Sequence, residues 1–466
     1  MSTMGVTCDV APDLPLLAAP AWLDRPAVVG GRHDWTWRQL HTASVALAAR
    51  LPAGVTVVNL CNSRAGFLVA WLAALRRGCL QQLPPSSGAV ELSAMLAAGV
   101  DPIIVSDDTD APPPWSSPAH RLAFVPRPVA AMPDAALVWT PDFDAPLVEL
   151  YTSGSTGRPE PQAKTLGQLV RGAQRLGEQL AARVDGGCVA QRVIVCSVPS
   201  QHMFGLETSV LLPLVHGVAL FDGRPLLPAD VRAAFERCAG GACWVATPLH
   251  LRAQVQSGEA LARCRFVIAS TMPLAPALAV EAEHCCGAPV LEIYGSTETG
   301  AVAMRRTAQD ASWRPLPGVR VEPGDAGAIV RGTHFRSPQT LADQIEGDGR
   351  GGFHLLGRRG DLIKIAGRRA SLQGLNLLLQ DLPGLTDGVF YLPATGAPGE
   401  RLILIHAGAP LDRTQVEAWL RARIDPVFLP RAIVRVDNLP RATHGKLPRQ
   451  ALDAIYDAWR NERAAR

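Results

Sequence analysis

Three short stretches of this chain combine residue types that can handle phosphate. Tyr151-Thr152-Ser153-Gly154-Ser155-Thr156-Gly157 supplies four aliphatic hydroxyls and two glycines in seven residues. Glycine lets backbone N–H groups turn inward and approach a ligand closely, and hydroxyls beside N–H groups suit a polyphosphate. The loop is not of the Walker type, because no Gly-Lys-Ser/Thr follows it. Taken alone, it reads equally well as a plain turn. Tyr294-Gly295-Ser296-Thr297-Glu298-Thr299-Gly300 sets a carboxylate among hydroxyls at the end of an apolar run. There Glu298 is well placed for a hard cation bridging phosphates. The plainer reading is an exposed carboxylate at a helix start. The third stretch, Arg441-Ala442-Thr443-His444-Gly445-Lys446, carries a lysine in a glycine-containing loop near the C-terminus.

Lysine usage singles out the last of these stretches and two further places. Lysine and arginine total 45, yet the only lysines are Lys164, Lys364 and Lys446. A compact ammonium on a flexible stem does work that a planar guanidinium does badly. All three lysines fall in the stretches discussed here.

The elements that must position these residues are legible in outline. Leu147-Val148-Glu149-Leu150 reads as a strand leading into the first loop. Val55–Cys61 is β-branched and strand-like, Phe67–Arg77 a helix and Leu80–Leu83 a short strand. Leu166–Ala182 reads as an amphipathic helix and Leu206–His216 as a further helix. Val193–Cys196 reads as a buried strand, and Val218–Phe221, Ala242–Ala246, Phe266–Ala269 and Pro289–Ile293 read as strands. Strand and helix patterns alternating in this way predict an α/β fold with helices on the sheet faces. From Trp313 to His354 the pattern changes to short β segments with Gly/Pro turns. A boundary is expected at Gly360, giving domains 1–359 and 360–466.

Bulk properties exclude several classes. The 466 residues exceed one core, 48% hydrophobic content argues against disorder, and a net charge of +3 without basic blocks does not imply nucleic acid. The N-terminus lacks a basic n-region and carries Asp9 and Asp13, which argues against a secretory signal. The longest clean apolar run, Phe67–Leu75, is too short to span a bilayer. A soluble cytoplasmic protein is the expectation. The ten cysteines form no Cys-x-x-Cys pair and are expected to be reduced and mostly buried.

In combination and order, Tyr151–Gly157, Tyr294–Gly300, Ala342-Asp343 with Gly357-Arg358, and Arg441–Lys446 resemble the adenylate-forming (ANL) superfamily. That group comprises acyl-CoA synthetases, aryl-acid ligases, peptide-synthetase adenylation domains and luciferases. The resemblance covers the chain from about Ala27 to Leu452. It implies a large N-terminal domain of αβ-layered subdomains with a β-barrel-like part, and a small mobile α+β C-terminal domain. It also implies ATP and Mg²⁺, with a phosphopantetheine thiol as acyl acceptor.

By this resemblance Thr152, Ser153, Gly154, Ser155, Thr156 and Gly157 would grip the ATP tail. Lys164 would be a shifted basic residue, since the Pro-Lys-Gly usual after that loop is here Pro159-Glu160-Pro161. Tyr294, Gly295 and Ser296 would hold adenine and the α-phosphate, with Thr297 on the phosphate and Glu298 as the Mg²⁺ ligand. Asp343 would accept the ribose hydroxyls, although the family's Thr-Gly-Asp is here Leu341-Ala342-Asp343, and Arg358 would add a contact. Lys446 would be the catalytic lysine, stabilising carboxylate attack on the α-phosphorus as pyrophosphate leaves. Lys364, Gly367 and Arg369 would face the site during thioester formation, and Gly360 would be the hinge. The glutamate usual after Gly367 is missing from Ser371-Leu372-Gln373-Gly374-Leu375-Asn376.

The acid pocket is expected from His202 and Phe204, with Trp244, Thr247 and Gly295. Ser270, Thr271 and Met272 would complete pocket and adenine floor. Trp244 reads equally well as plain core. Amino-acid-activating relatives place an Asp just after the aromatic residue, where this chain has Gly205. A buried ammonium without a counter-charge is costly, so an α-amino acid is disfavoured. The wording of Tyr151–Lys164 and Ile363–Leu372 is similar to small ligases of aryl-polyene and xanthomonadin pathways. These load a hydroxybenzoate onto an acyl carrier protein, and Arg368, Arg369, Arg431 and Arg435 could meet such an acidic partner. Free CoA as acceptor is the alternative, and a catalytically silent nucleotide-binding scaffold is a third reading.

Overall fold

The fold comes from a computed structural model. It describes residues 22–84, 101–108, 121–129, 132–133, 137, 139, 141–153, 159–183, 192–332, 334–335, 337–358, 362–366, 368–379, 382–393, 401–440 and 447–464. Packing divides the chain into two compact units. One comprises Met1–Val321 with Val330–Gln339, the other Glu322–Ile329 with Thr340–Arg466. The division falls before the hairpin Asp343–Gly347/Phe353–Arg358, which therefore packs with the second unit. The expected pivot, Gly360, lies outside the described residues.

The first unit holds two sheets. The larger has nine strands, in the order Arg314–Pro315, Gly300–Arg305, Val290–Ser296, Cys264–Ala269, Ala242–Ala246, Val193–Cys196, Ala219–Phe221, Pro26–Val29 and Trp35–Thr36. Its middle strands are parallel, while Gly300–Arg305 and the two short edge strands run antiparallel. The parallel strands read as continuous apolar runs because both their faces are covered. Helices Pro228–Glu236, Pro248–Ser257 and Pro276–Cys286, which the alternating pattern left unassigned, each start with proline at the first turn.

The second sheet has six strands, in the order Arg121–Ala123, Ile103–Ser106, Thr56–Asn59, Leu80–Leu83, Pro146–Ser153 and Pro159–Thr165. All are parallel but the last, which folds back as a hairpin with Ser153 opposite Pro159. The strand expected to end at Leu150 thus continues to Ser153, because the returning arm supplies it with partners.

The helix Arg64–Arg76, capped by Ser63, is buried on every side from Ala65 to Leu75. Such all-round apolar character fits a helix packed within the core. Arg64, at its start, is 5% exposed. It donates to the carbonyls of Cys196 and Val198 at 2.7 and 2.9 Å, to Ser209 Oγ at 3.1 Å and to Ser200 Oγ. One buried guanidinium therefore ties this helix to the segment leaving Val193–Cys196, just before His202.

The helix expected over Leu206–His216 begins earlier, at Met203, and includes a π turn over Glu207–Leu211 before Leu212–His216. Thr208 Oγ1 and Ser209 Oγ donate to the Phe204 and Gly205 carbonyls inside it. Such back-bonding distorts helices, and π turns concentrate at functional sites.

In the second unit the sheet Asp387–Tyr391, Ile403–Ala407 and Ala432–Val436 is apolar on both faces. Phe390 and Leu404 pack with Val416 and Leu420 on one side, and Tyr391 and Ile405 with Leu452 on the other. This is an α+β layer arrangement. Among the described residues the cysteines are unbridged, and all but Cys285 are buried, as expected. No described helix is long and apolar enough to cross a membrane.

Candidate active site

Four parallel strands of the large sheet end side by side, and the sequence-flagged residues follow them. Val245 pairs with Cys196, Ala246 with Ala269, and Ala269 with Glu292. The chain therefore leaves this edge at Ser197–Phe204, at Thr247, at Ser270–Met272 and at Tyr294–Glu298. The carboxyl ends of parallel strands are where open α/β sheets bind ligands.

The Ser296–Gly300 turn is tightly built. The Ser296 N–H donates to Thr299 Oγ1 at 3.1 Å, and the Thr299 N–H donates to Ser296 Oγ at 3.3 Å. A Cβ on Gly295 would stand 2.0 Å from the Gly300 carbonyl oxygen, so the turn closes only over glycine there. Gly300 itself has φ +68°, the left-handed region. Thr297 and Glu298, at the crest, are half-buried. Tyr294 stands against Trp313, with ring centres 5.5 Å apart.

The neighbouring loop is fixed by Ser270, whose Oγ donates to the Ile293 carbonyl at 2.9 Å. Thr271 has φ +81°, a genuine outlier for a β-branched residue, and is exposed beside half-buried Met272. His202 is the N-cap position of Met203–Leu206, and Phe204 is 8% exposed. Thr247 caps the next helix and lies 2.9 Å from His250 Nδ1. Trp244 is 1% exposed and donates its Nε1–H to Ser197 Oγ at 2.9 Å, which is the core reading of the two left open.

Lys164 is placed differently from an open phosphate ligand. It is 9% exposed on the strand returning from the hydroxyl-rich loop, and its ammonium donates to the Glu298 carbonyl. Burial lowers its pKa, opposed by Glu298 and Glu207. Glu207 is one residue here that sequence reasoning missed. It is 4% exposed and accepts the Ala301 N–H on both oxygens, at 3.0 and 3.1 Å. Burial pushes its carboxyl up to about 7, against the Ala301 hydrogen bond and the Lys164 charge. The available signal was a lone acid inside an otherwise uncharged run, Leu206–Leu214. His334 was missed too: it is 3% exposed, and burial lowers it to about 3.

Thr152 and Ser153 end the strand Pro146–Ser153, while Gly154, Ser155, Thr156 and Gly157 lie outside the described residues. In the second unit Asp343 and Arg358 stand opposite each other in the hairpin ladder. Lys364 is exposed and opposite Arg369 in the hairpin Leu362–Ile365/Arg368–Ser371. Gly367, Gly360 and Lys446 lie outside the described residues.

Among the described residues no cluster of three or more His, Cys, Asp or Glu side chains could hold a metal ion. A single carboxylate, Glu298, fits Mg²⁺ as phosphate sites use it, with one or two protein ligands and the rest from phosphate and water.

A parallel sheet with hydroxyl-rich turns at its carboxyl edge defines a nucleotide-using α/β enzyme. The chain belongs to the AMP-binding enzyme family, whose model matches residues 18–336. It is accordingly an adenylate-forming acid ligase. It is 28% identical over 306 residues to a 4-coumarate–CoA ligase of Cereibacter sphaeroides, covering 64% of this chain and 69% of that protein. To enterobactin synthase component F of Escherichia coli it is 25% identical, over 92% of this chain but only 38% of the relative's length. Its fold matches the o-succinylbenzoate coenzyme A synthetase of Bacillus subtilis bound to AMP, with TM-score 0.76, 18% identity and coverage of 93% and 96% of the two chains. It also matches ATP-bound MatB of Rhodopseudomonas palustris, with TM-score 0.73, 21% identity and coverage of 93% and 97%.

Proposed function

We propose that the chain activates an aryl carboxylic acid of the hydroxybenzoate type and passes it to the phosphopantetheine thiol of an acyl carrier protein. The acid's carboxylate oxygen bonds to the α-phosphorus of ATP, and pyrophosphate leaves. The thiol then bonds to the acyl carbon with loss of its proton, and AMP leaves.

The observation that carries the proposal is the meeting of His202–Phe204, Thr247, Ser270–Met272 and Tyr294–Glu298 at one sheet edge. There Thr297 would meet the α-phosphate, Tyr294, Gly295 and Ser296 the nucleotide, and Glu298 the Mg²⁺ that offsets phosphate charge. Thr152–Gly157 would hold the β- and γ-phosphates, Asp343 and Arg358 the ribose. Lys446 would supply positive charge as pyrophosphate departs. Lys364, Gly367 and Arg369 would serve the thioester step after rotation about Gly360.

An aryl acid is supported by the pocket's chemistry. Phe204 is apolar, and Gly205 has no room for a side chain, so no carboxylate can pair with a substrate ammonium at that position. The similarity to a 4-coumarate–CoA ligase favours an aromatic acid too, and it also favours the second reading, free CoA as acceptor. Exposed Arg368, Arg431 and Arg435 suit an acidic carrier.

Acid-dependent ATP–pyrophosphate exchange tests the first half-reaction. Wild type should exchange with hydroxybenzoates, and Lys446→Ala should not; undiminished exchange in the variant removes that lysine's role. Intact-mass analysis of a holo carrier against free CoA decides the acceptor, and faster acylation of CoA gives the second reading the field.

A further inference from the structure

We propose that Lys164 and Glu207 are positioning residues: an oppositely charged pair that grips the Thr297–Glu298 turn from behind. The inference rests on the proposed roles of Thr297 and Glu298 at the phosphates.

The geometry supplies the grip at two points. The Lys164 ammonium donates to the Glu298 carbonyl, and the Glu207 carboxylate receives the Ala301 N–H on both oxygens, at 3.0 and 3.1 Å. These partners flank the Thr299-Gly300 step. The approach is close, since a Cβ on Gly300 would stand 2.4 Å from Glu207 Oε1 and 3.0 Å from Met203 Cε. Backbone carbonyl oxygens carry partial negative charge and N–H groups partial positive charge. An ammonium on one and a carboxylate on the other are therefore both charge-assisted hydrogen bonds, roughly twice as strong as neutral ones.

Each half of the grip comes from a different site segment. Lys164 lies on the arm returning from the hydroxyl-rich loop, in register with Val148. Glu207 opens the π turn that follows His202 and Phe204. The pair thus joins three segments that have no local sequence relationship. Motion of any one is transmitted to the turn that carries Glu298.

Neither side chain is placed to touch substrate. Lys164, Gln168, Met203, Glu207, Thr299 and His334 enclose a space of about 10 Å³, room for about one water molecule. Burying two ionised groups is unfavourable, and a well-packed apolar pair is commonly as stable or more so. A purely structural site therefore gives no reason for this pair, whereas a turn that must hold a phosphate-binding hydroxyl and a carboxylate in fixed positions does.

Amide hydrogen exchange in the nucleotide-free full chain is the first readout. Lys164→Met and Glu207→Leu should each raise exchange across residues 297–301 by about tenfold, with the strand Val193–Cys196 unchanged. Glu207→Gln, which keeps one carbonyl acceptor and the side-chain shape, should restore part of the protection. In ATP–pyrophosphate exchange both apolar variants should lose about tenfold or more in kcat, while KM for the acid shifts by less than about twofold. If Glu207→Leu does not fold, Lys164→Met and Glu207→Gln carry the same comparison. Folded variants with wild-type exchange at 297–301 overturn the grip, whatever their activity. A wild-type protein that activates no acid overturns the functional assignment instead, and with it the grip's role at the phosphates.

Discussion

The Pro199 carbonyl oxygen lies 1.9 Å from where a Cβ on Gly205 would stand. The backbone of the loop leaving Val193–Cys196 presses directly on the first turn after His202, and only glycine admits the approach. An Asp at this position would need a different course of the loop.

Gly205→Asp should therefore fail to confer amino-acid activation. Gly205→Ala alone should destabilise the protein by about 3 kcal/mol, because backbone rather than a flexible side chain must move. Denaturant unfolding of Gly205→Ala checks this, and a loss below about 1 kcal/mol would show that the loop yields easily.

Glu207 predicts a stability that depends on pH. Its carboxyl is raised from 4.5 to about 7 in the fold, so the folded state holds a proton that the unfolded state releases between those values. Stability contributed by this group is present below about pH 4.5 and is lost as pH rises to about 7. The loss is on the order of 3 kcal/mol by linkage. Glu207→Gln removes the titration, so it should melt a few degrees above wild type at pH 8, and the gap should close toward pH 5. Lys164 and His334 face the same space and remain in both proteins. Equal melting temperatures at pH 8 would contradict the buried carboxylate.

Arg64 holds three backbone carbonyls, those of Cys196, Val198 and Gly223, and two hydroxyls with one buried side chain. Arg64→Met fills similar volume but leaves the Cys196 and Val198 carbonyls without this donor. A loss of about 3 kcal/mol is expected, at roughly 1–3 kcal/mol per orphaned buried group. The same variant should raise KM for the acid, since the loop it anchors carries His202 and Phe204. Unfolding and steady-state kinetics on one preparation test both effects.

Thr271 stores backbone strain at the sheet edge, with φ +81°. Thr271→Gly should stabilise the fold by about 1 kcal/mol through relief of that strain. If the strain holds the loop for the nucleotide, the variant should also lose adenylation rate. A gain in stability with unchanged rate would make the strain incidental.

Much of this was readable in advance. The strands Val193–Cys196 and Ala242–Ala246 have the expected bounds, and Phe266–Ala269 lies within the observed Cys264–Ala269. Buried parallel strands are uninterrupted apolar runs, and such runs are visible without partners. Helices beginning Pro228, Pro248 and Pro276 are hard to read because each buries a single thin stripe of three or four residues, among them alanine, cysteine and Gln254, so the apolar period is faint. The π turn at Glu207–Leu211 could not be read, because one extra residue in a helical register leaves the apolar pattern almost unchanged.

The sequence by itself determined the alternating αβ architecture, the hydroxyl- and glycine-rich turns and the three places where lysine stands among arginines. Those are local properties: period, side-chain type and backbone freedom. Tertiary structure alone decided that Lys164 meets the Glu298 carbonyl across 134 residues and that Glu207 meets Ala301 across 94. Periodicity says which face of an element is buried, but not which distant backbone atom it is buried against. Here Lys164 sits on an antiparallel arm and Glu207 on a helical turn, so the choice is made by how those elements pack against the Ser296–Gly300 turn.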